Sequence, residues 1–196
     1  MDAHGLNQQS LTFACATSAE ERVAKRLGLR AVRVGVRVAN GVPAEQVVSF
    51  GVAGSLGELK IGDVVDATRV VDVSGATLWE GPGLGVAGAR PGTVLGHDAL
   101  VHDPVERARL RETSGADAVD MESGVLARAG KLAGVLRSIS DDAGSLVEGV
   151  DSTVHPDGRT DVAGLLRWVA TRRLDALRAM RDALRALKAL EHAVAT

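Results

Sequence analysis

The stretch AVDMESGVLARAGKLAGVLRSISDDA, Ala118 to Ala143, decides the fold. It reads as two buried strands separated by a helical segment, Ser123 to Leu132, with Val125, Leu126 and Leu132 on one side. Glu122 and Asp141 stand at the ends of those strands. A carboxylate in the apolar flank of a strand has to be paired, hydrogen-bonded or protonated, because an unsatisfied charge in low dielectric is strongly unfavourable. Two such acids in one strand–helix–strand unit mark a candidate site.

Working toward the N-terminus, Val94 to Val101 reads as a strand. Asp103-Pro104 is an N-cap followed by the residue best tolerated at the first helical position, and Gly115 closes that helix. Ser74 to Thr93 is rich in Gly and Pro and reads as loop and irregular strand. Gly62-Asp63 turns into a strand from Val64 to Val73. Val47 to Phe50 is an apolar run leading into Gly51-Val52-Ala53-Gly54-Ser55, whose small residues either admit close approach of a ligand or form a tight turn. Leu29 to Val38 alternates Val with Arg and Gly, the period of a strand with one wet face, and only Ala39 to Gln46 is left to connect the two. Leu11 to Ala16 is a short buried strand. The Ser18/Glu21 spacing predicts a capping box for a helix ending near Leu27, with Gly28 beyond it. Glu20 then has no structural task and sits at the mouth of the first strand, where ligands of open α/β sheets bind.

Toward the C-terminus, Gly144 to Arg159 is polar with a turn at Pro156-Asp157-Gly158. Two helices follow from Asp161. Val162, Leu165, Leu166 and Val169 mark the first, and Leu174, Leu177, Met180, Leu184, Leu187 and Leu190 the second, a stripe expected to be core or a subunit contact. Arg178, Arg181, Asp182 and Arg185 read as its solvated face. Residues 1–10 are polar and expected to be frayed. Strands alternating with helices give an α/β fold with a mixed or mostly parallel sheet in one domain, 1–196.

Composition narrows the function. The 196 residues are 45% hydrophobic with a formal net charge of −2, which argues against a disordered chain or an electrostatic nucleic-acid binder. Two Phe, two Trp and no Tyr leave little for base-stacking platforms, so the core rests on Val, Leu and Ala. Cys15 is the lone cysteine and reads as buried and structural. His97, His102 and His155 are too scattered for a metal site, and no cofactor is expected. No apolar run approaches the roughly 20 residues of a membrane span, and no leader segment is recognisable, so a cytoplasmic protein is expected.

Three segments carry a resemblance. VSFGVAGSLGELKIGDVV at Val48–Val65, AVDMES at Ala118–Ser123 and RSISDDA at Arg137–Ala143 resemble, in order and spacing, the signatures of the nucleoside phosphorylase/nucleosidase superfamily. LGHDALVHDP, TSGADAVDMES, HPDGRTDVAGLLRWV and the Leu-rich tail are most similar to its hopanoid-associated branch, proposed to remove adenine from adenosylhopane. The resemblance implies a compact three-layer αβα phosphorylase/hydrolase-like fold with a central mixed sheet. It implies cleavage of the N-glycosidic bond of a 5′-modified adenosine, of the methylthioadenosine, S-adenosylhomocysteine or adenosyl-lipid type, with release of adenine. It also implies a homodimer whose sites borrow residues from the partner subunit.

Carried over residue by residue, Asp141 is the expected general acid toward purine N7, and Asp142 is its competitor. Its apolar strand would favour the protonated form by desolvation. Glu122 would accept hydrogen bonds from the ribose hydroxyls, and Met121 would pack under the sugar. Glu20 aligns with the glutamate that activates water. Val52 and Gly54 lie in the ligand-approach segment, and Leu100 and Val101 fall where the family faces the base, with Leu100 in place of Phe. At Ser49 and Val52 the phosphorylases hold phosphate, and Val52 offers no side-chain donor, so water is the expected acceptor. Arg33 or Arg37 keeps a phosphate-dependent purine nucleoside phosphorylase as the alternative. The short Ala39–Gln46 connection, below the ten or more residues of an ordinary parallel crossover, keeps open a non-catalytic nucleoside-binding protein.

Overall fold

The structure is a computed structural model that describes residues 11–143 and 153–196; the N-terminal residues 1–10 and part of the polar Gly144–Arg159 segment lie outside the described residues. Its hub is β3 (Val47–Ser55), nine residues in one unbroken strand, so the Gly51–Ser55 segment is neither a turn nor a loop. Val47 to Phe50 pair in parallel with β1 (Thr12–Cys15), and on the same strand Gly54 and Ser55 pair antiparallel with β7 (Ala118–Asp120). The other edge of β3 runs parallel to β8 (Leu132–Asp141). β8 pairs antiparallel with β4 (Val64–Val71), β4 in parallel with β6 (Arg90–Gly96), and β6 in parallel with β7. The pairings β3–β8–β4–β6–β7–β3 therefore close on themselves, with β2 (Arg30–Arg33) added outside β1 and β5 (Thr77–Glu80) outside β4. The result is a mixed eight-stranded sheet in an α/β fold, as expected.

Helices cover both faces. α1 (Ser18–Arg26) and the long α5 (Arg173–Ala195) bury Val23, Ala24 and Leu190 with Phe13, Val48, Phe50 and Leu136 of the sheet. α3 (Ser123–Arg128) buries Leu126 and Ala127 with Val47, Val65, Val94, Val135 and Ile139 on the other side. α2 (Pro104–Ser114) seats Leu110 over Leu56, Val71 and Leu95. α4 (Val162–Thr171) precedes α5. With so few rings, the core's aromatic contact is one edge-to-face pair, Phe13 and Phe50, with centroids 5.6 Å apart. Cys15 is fully buried, and burial pushes its thiol far above its ordinary range, which fits the inert role expected of it.

Several boundaries differ from the sequence reading. The capping box is made by Thr17 and Glu20, one residue earlier than Ser18/Glu21, because the chain is still extended at Thr17 and turns helical at Ser18. β2 stops at Arg33: Val34 turns inward at 1% exposure, and a 3₁₀ turn at Val36–Val38 follows. The parallel crossover from β2 to β3 is thus residues 34–46, long enough without an α-helix. Alternation misled here because Val36 and Val38 serve a turn with positive φ at Arg37 and Val38. β6 ends at Gly96 instead of Val101, and Leu132 opens β8 instead of closing α3; β5 is the strand part of the segment read as loop and irregular strand. Asp103, Pro104 and Gly115 bound α2 as expected, Gly115 in the left-handed region. The C-terminal pair of helices is present, but Leu174, Leu177 and Leu184 face solvent.

Candidate active site

β1, β3 and β8 are mutually parallel, so their carboxyl ends emerge at one edge. β7 runs the opposite way and returns the chain past Gly54, delivering Asp120 and Glu122 alongside β3. A buried ionic centre forms there. Arg137 of β8 is 1% exposed, and its Nη2 lies 2.6 Å from Asp120 Oδ2, 2.7 Å from Ser49 Oγ and 3.4 Å from Glu122 Oε2. Its Nη1 donates to the Val52 carbonyl at 3.4 Å. Ser123 donates its backbone N–H to Asp120 Oδ1 at 3.0 Å and its hydroxyl to Asp120 Oδ2. Ser123 Oγ stands 3.0 Å from Ser49 Oγ.

Glu20 reaches this centre from α1 and is 2% exposed. Its Oε2 accepts from the Thr17 backbone N–H at 2.8 Å and the Thr17 hydroxyl at 2.9 Å, and its Oε1 accepts from the Val52 N–H at 2.9 Å. Glu20 therefore does the capping that had been assigned to Glu21. Glu21 instead pairs with Lys25 and, at 3.6 Å, with Arg33. A carboxylate has about four acceptor positions; Glu20 fills three and keeps one, on Oε1. Gly51 makes the approach possible: a Cβ there would stand 2.1 Å from Glu20 Oε1 and 2.8 Å from Arg137 Nη1.

Glu122 is 5% exposed and accepts from the Arg37 backbone N–H at 3.0 Å through Oε1. The 3₁₀ turn after β2 is what presents that N–H. Burial, helped by Asp120 and Glu20 and opposed by Arg137, pushes the Glu122 carboxyl up to about 7. Asp120 and Glu122 share one guanidinium with Glu20 close by, and Glu122, desolvated by burial, holds its proton up to near neutrality. Each of its oxygens keeps one acceptor position for a ligand.

Asp141 is set differently. A register shift places Ser140 as an extra residue between Ile139, opposite Ala53, and Asp141, opposite Gly54. Oδ1 accepts from the Ser140 hydroxyl at 2.7 Å, and Oδ2 is ion-paired with Nη2 of Arg107 on α2. Arg107 is 1% exposed and also donates to the carbonyls of Ser55, at 3.1 Å, and Asp142, at 2.9 Å. The desolvated, apolar setting expected of Asp141 is thus replaced by an ion pair, with its side chain 14% exposed. Gly54 leaves room for it, since a Cβ there would stand 2.9 Å from Asp141 Oδ2. Gly51 and Gly54 are three apart on β3, with the register shift against β8 falling between Ala53 and Gly54.

Of the expected residues, Glu20, Glu122 and Val52 meet around Arg137, while Asp141 and Gly54 meet around Arg107. Met121 and Leu100 are half-buried, and Val101 is buried with Leu56, Leu95 and Leu110 under α2. Arg37 contributes its backbone, and its side chain reaches toward the Asp98 carbonyl at 3.5 Å. Sequence reading missed Arg137, Asp120, Ser123 and Arg107 as site residues. The signal for the first two was a single charge inside an apolar strand, VLRSI and AVD; Arg107, in a charged helix, carried none. A cleft of about 420 Å³ between Gly62-Asp63, Arg90 and the end of α5 shares no residue with either centre.

No protein-family model matches the chain, and no curated protein matches it. Solved structures do. The 5′-methylthioadenosine/S-adenosylhomocysteine nucleosidase of Helicobacter pylori, bound to a substituted pyrrolidine ligand, superposes with a TM-score of 0.57 at 18% identity, over 95% of this chain and 98% of that one. The Campylobacter jejuni enzyme of the same name gives 0.53 at 19%, over 94% and 99%. The futalosine hydrolase of Helicobacter pylori, a mutant form, gives 0.53 at 16%, over 90% and 98%. The chain has the fold of these proteins.

Proposed function

We propose that the protein is a nucleosidase that uses water to cleave the N-glycosidic bond of a 5′-modified adenosine, releasing adenine. The observation that carries this reading is the convergence of Glu20 and Glu122, 102 positions apart in the chain, on Val52 and Arg137 at the carboxyl ends of parallel strands. The two open acceptor positions of Glu122 suit the adjacent hydroxyls of a ribose. The open position on Glu20 Oε1 suits a water molecule. As the C1′–N9 bond breaks, its electron pair leaves with the base, positive charge grows on the sugar, and the surrounding carboxylates stabilise it. Water adds its oxygen to C1′ and gives its proton to Glu20. Asp141 relays a solvent proton to the departing purine at N7, and Arg107 holds its carboxylate in place.

Phosphate is disfavoured as acceptor by charge. Glu20, Asp120 and Glu122 surround Arg137, whose Nη atoms are already engaged, and Ser49 is taken by Arg137, so a dianion would enter a region of net negative charge. The activity is tested by following adenine release from methylthioadenosine, S-adenosylhomocysteine and a long-chain 5′-substituted adenosine, with and without phosphate. Release without phosphate, lost by a factor of roughly 10²–10⁴ in Asp141→Asn and Glu20→Gln, supports the reading. Strict phosphate dependence selects a phosphorylase. Nucleoside binding by calorimetry without release selects a non-catalytic binding protein. The homodimer expected from the resemblance is tested by sedimentation in the same buffers.

A further inference from the structure

α5 packs inward through Ala176, Ala186 and Leu190 and turns other large aliphatic residues outward. Leu174, Leu177 and Leu184 are 70%, 59% and 58% exposed, and on α4 Val162 and Leu166, one turn apart, are 63% and 66% exposed. Helical spacing sets Arg173, Arg181 and Lys188 on the same side of α5 as these leucines, with Arg178 and Arg185 at its margins. Of the acids on α5, Asp182 pairs with Arg181 at 2.9 Å, Asp175 with Arg178 at 4.0 Å and Glu191 with Arg26 of α1 at 3.0 Å, so Arg173, Arg185 and Lys188 supply the excess positive charge of this side. Residues 162–195 hold seven Lys or Arg against three Asp or Glu in a chain whose net charge is −2, so basic charge is concentrated where aliphatic surface is exposed.

We propose that the outward face of α4 and α5 docks on an anionic lipid surface. The surface is a convex helix with no aromatic anchor, since Trp168 of α4 is 6% exposed, whereas protein partners are gripped by aromatic and arginine hot spots in shaped pockets. A second copy of the chain fits poorly. At the spacing of a two-helix seam the positions are Leu174, Leu177, Arg181, Leu184, Lys188 and Glu191, so half are charged, and antiparallel pairing sets each leucine against a charged residue. A headgroup layer accepts this pattern: leucines enter the acyl boundary while arginine and lysine stems extend to phosphates. No helix among the described residues is long and apolar enough to cross a membrane, so the contact is one of surface.

The test is flotation of the full chain with vesicles of phosphatidylcholine alone or containing phosphatidylglycerol, with sedimentation in vesicle-free buffer beside it. The chain is expected to float with the anionic vesicles at least tenfold more than with neutral ones and to be released by salt. Leu177→Glu with Leu184→Glu should abolish flotation at an unchanged melting temperature, and Arg173→Gln, Arg181→Gln and Arg185→Gln should each weaken it about 5-fold. No flotation, or equal flotation with neutral vesicles, overturns the proposal. So does a stable dimer that Leu177→Glu splits, which would make the face an interface between copies.

Discussion

Among the described residues, the two bulkiest side chains buried below 2% exposure are arginines, and the fold uses them in opposite ways. Arg137 is shared by Asp120 and Glu122, with Glu20 close by, and burial, with the excess of negative charge added to it, pushes the Glu122 carboxyl up to about 7. Arg107 is given to one carboxylate, Asp141, and to two backbone carbonyls, a balanced pair at the end of a strand. Burial of arginine is common to both. The number of acids per guanidinium is what differs, and it separates a centre that stores electrostatic strain from one that holds a single acid in place.

The comparison breaks first at Arg137. Arg137→Met leaves three buried carboxylates without their cation and should cost about 3–5 kcal/mol, a loss seen as a melting temperature lower by roughly 10 °C. Glu122→Gln should act in the other direction. The folded-state value of Glu122 lies above the unfolded one, so the folded state holds the extra proton between about 4.5 and 7, and stability falls as pH rises through that window. The glutamine should therefore gain on the order of 3 kcal/mol above pH 7 and nothing below about pH 4.5, read from melting temperatures at pH 8 and pH 4. Arg107→Met strands only one, partly exposed acid, and its cost in the same melting assay should stay near 1–3 kcal/mol, smaller than that of Arg137→Met. Equal losses at the two arginines would erase the distinction. Thr17→Ala removes the hydroxyl that caps α1 and holds Glu20, and should cost about 1 kcal/mol while lowering activity through the displaced carboxylate.

The centre around Arg137 was the less legible of the two, although most of its acids were foreseen. Glu122 and Asp141 were visible because a charge in an apolar strand demands a partner, and Glu20 because of its place after β1. What the sequence could not convey is who partners whom. Arg137 meets Asp120 across strands β8 and β7, which are not neighbours in the sheet, and Arg107 reaches Asp141 from a helix that reads as an ordinary charged surface. The Arg37 N–H on Glu122 exists only because β2 ends early, and alternating valines concealed that turn. α2 was legible to the residue, because Asp103, Pro104 and Gly115 act through local backbone chemistry and need no distant contact.

The central claim is that the Arg137 centre binds a ribose through Glu122 while Glu20 supplies water. Its most direct measurement is the pH dependence of kcat/KM for adenine release from methylthioadenosine in phosphate-free buffer, for the native chain and Glu122→Gln. Ionised Glu122 is the better acceptor for ribose hydroxyls, so kcat/KM should rise through about pH 7 in the native chain, and that limb should be absent in the glutamine variant. Release that requires phosphate, or a limb near pH 7 that survives in Glu122→Gln, would contradict the account.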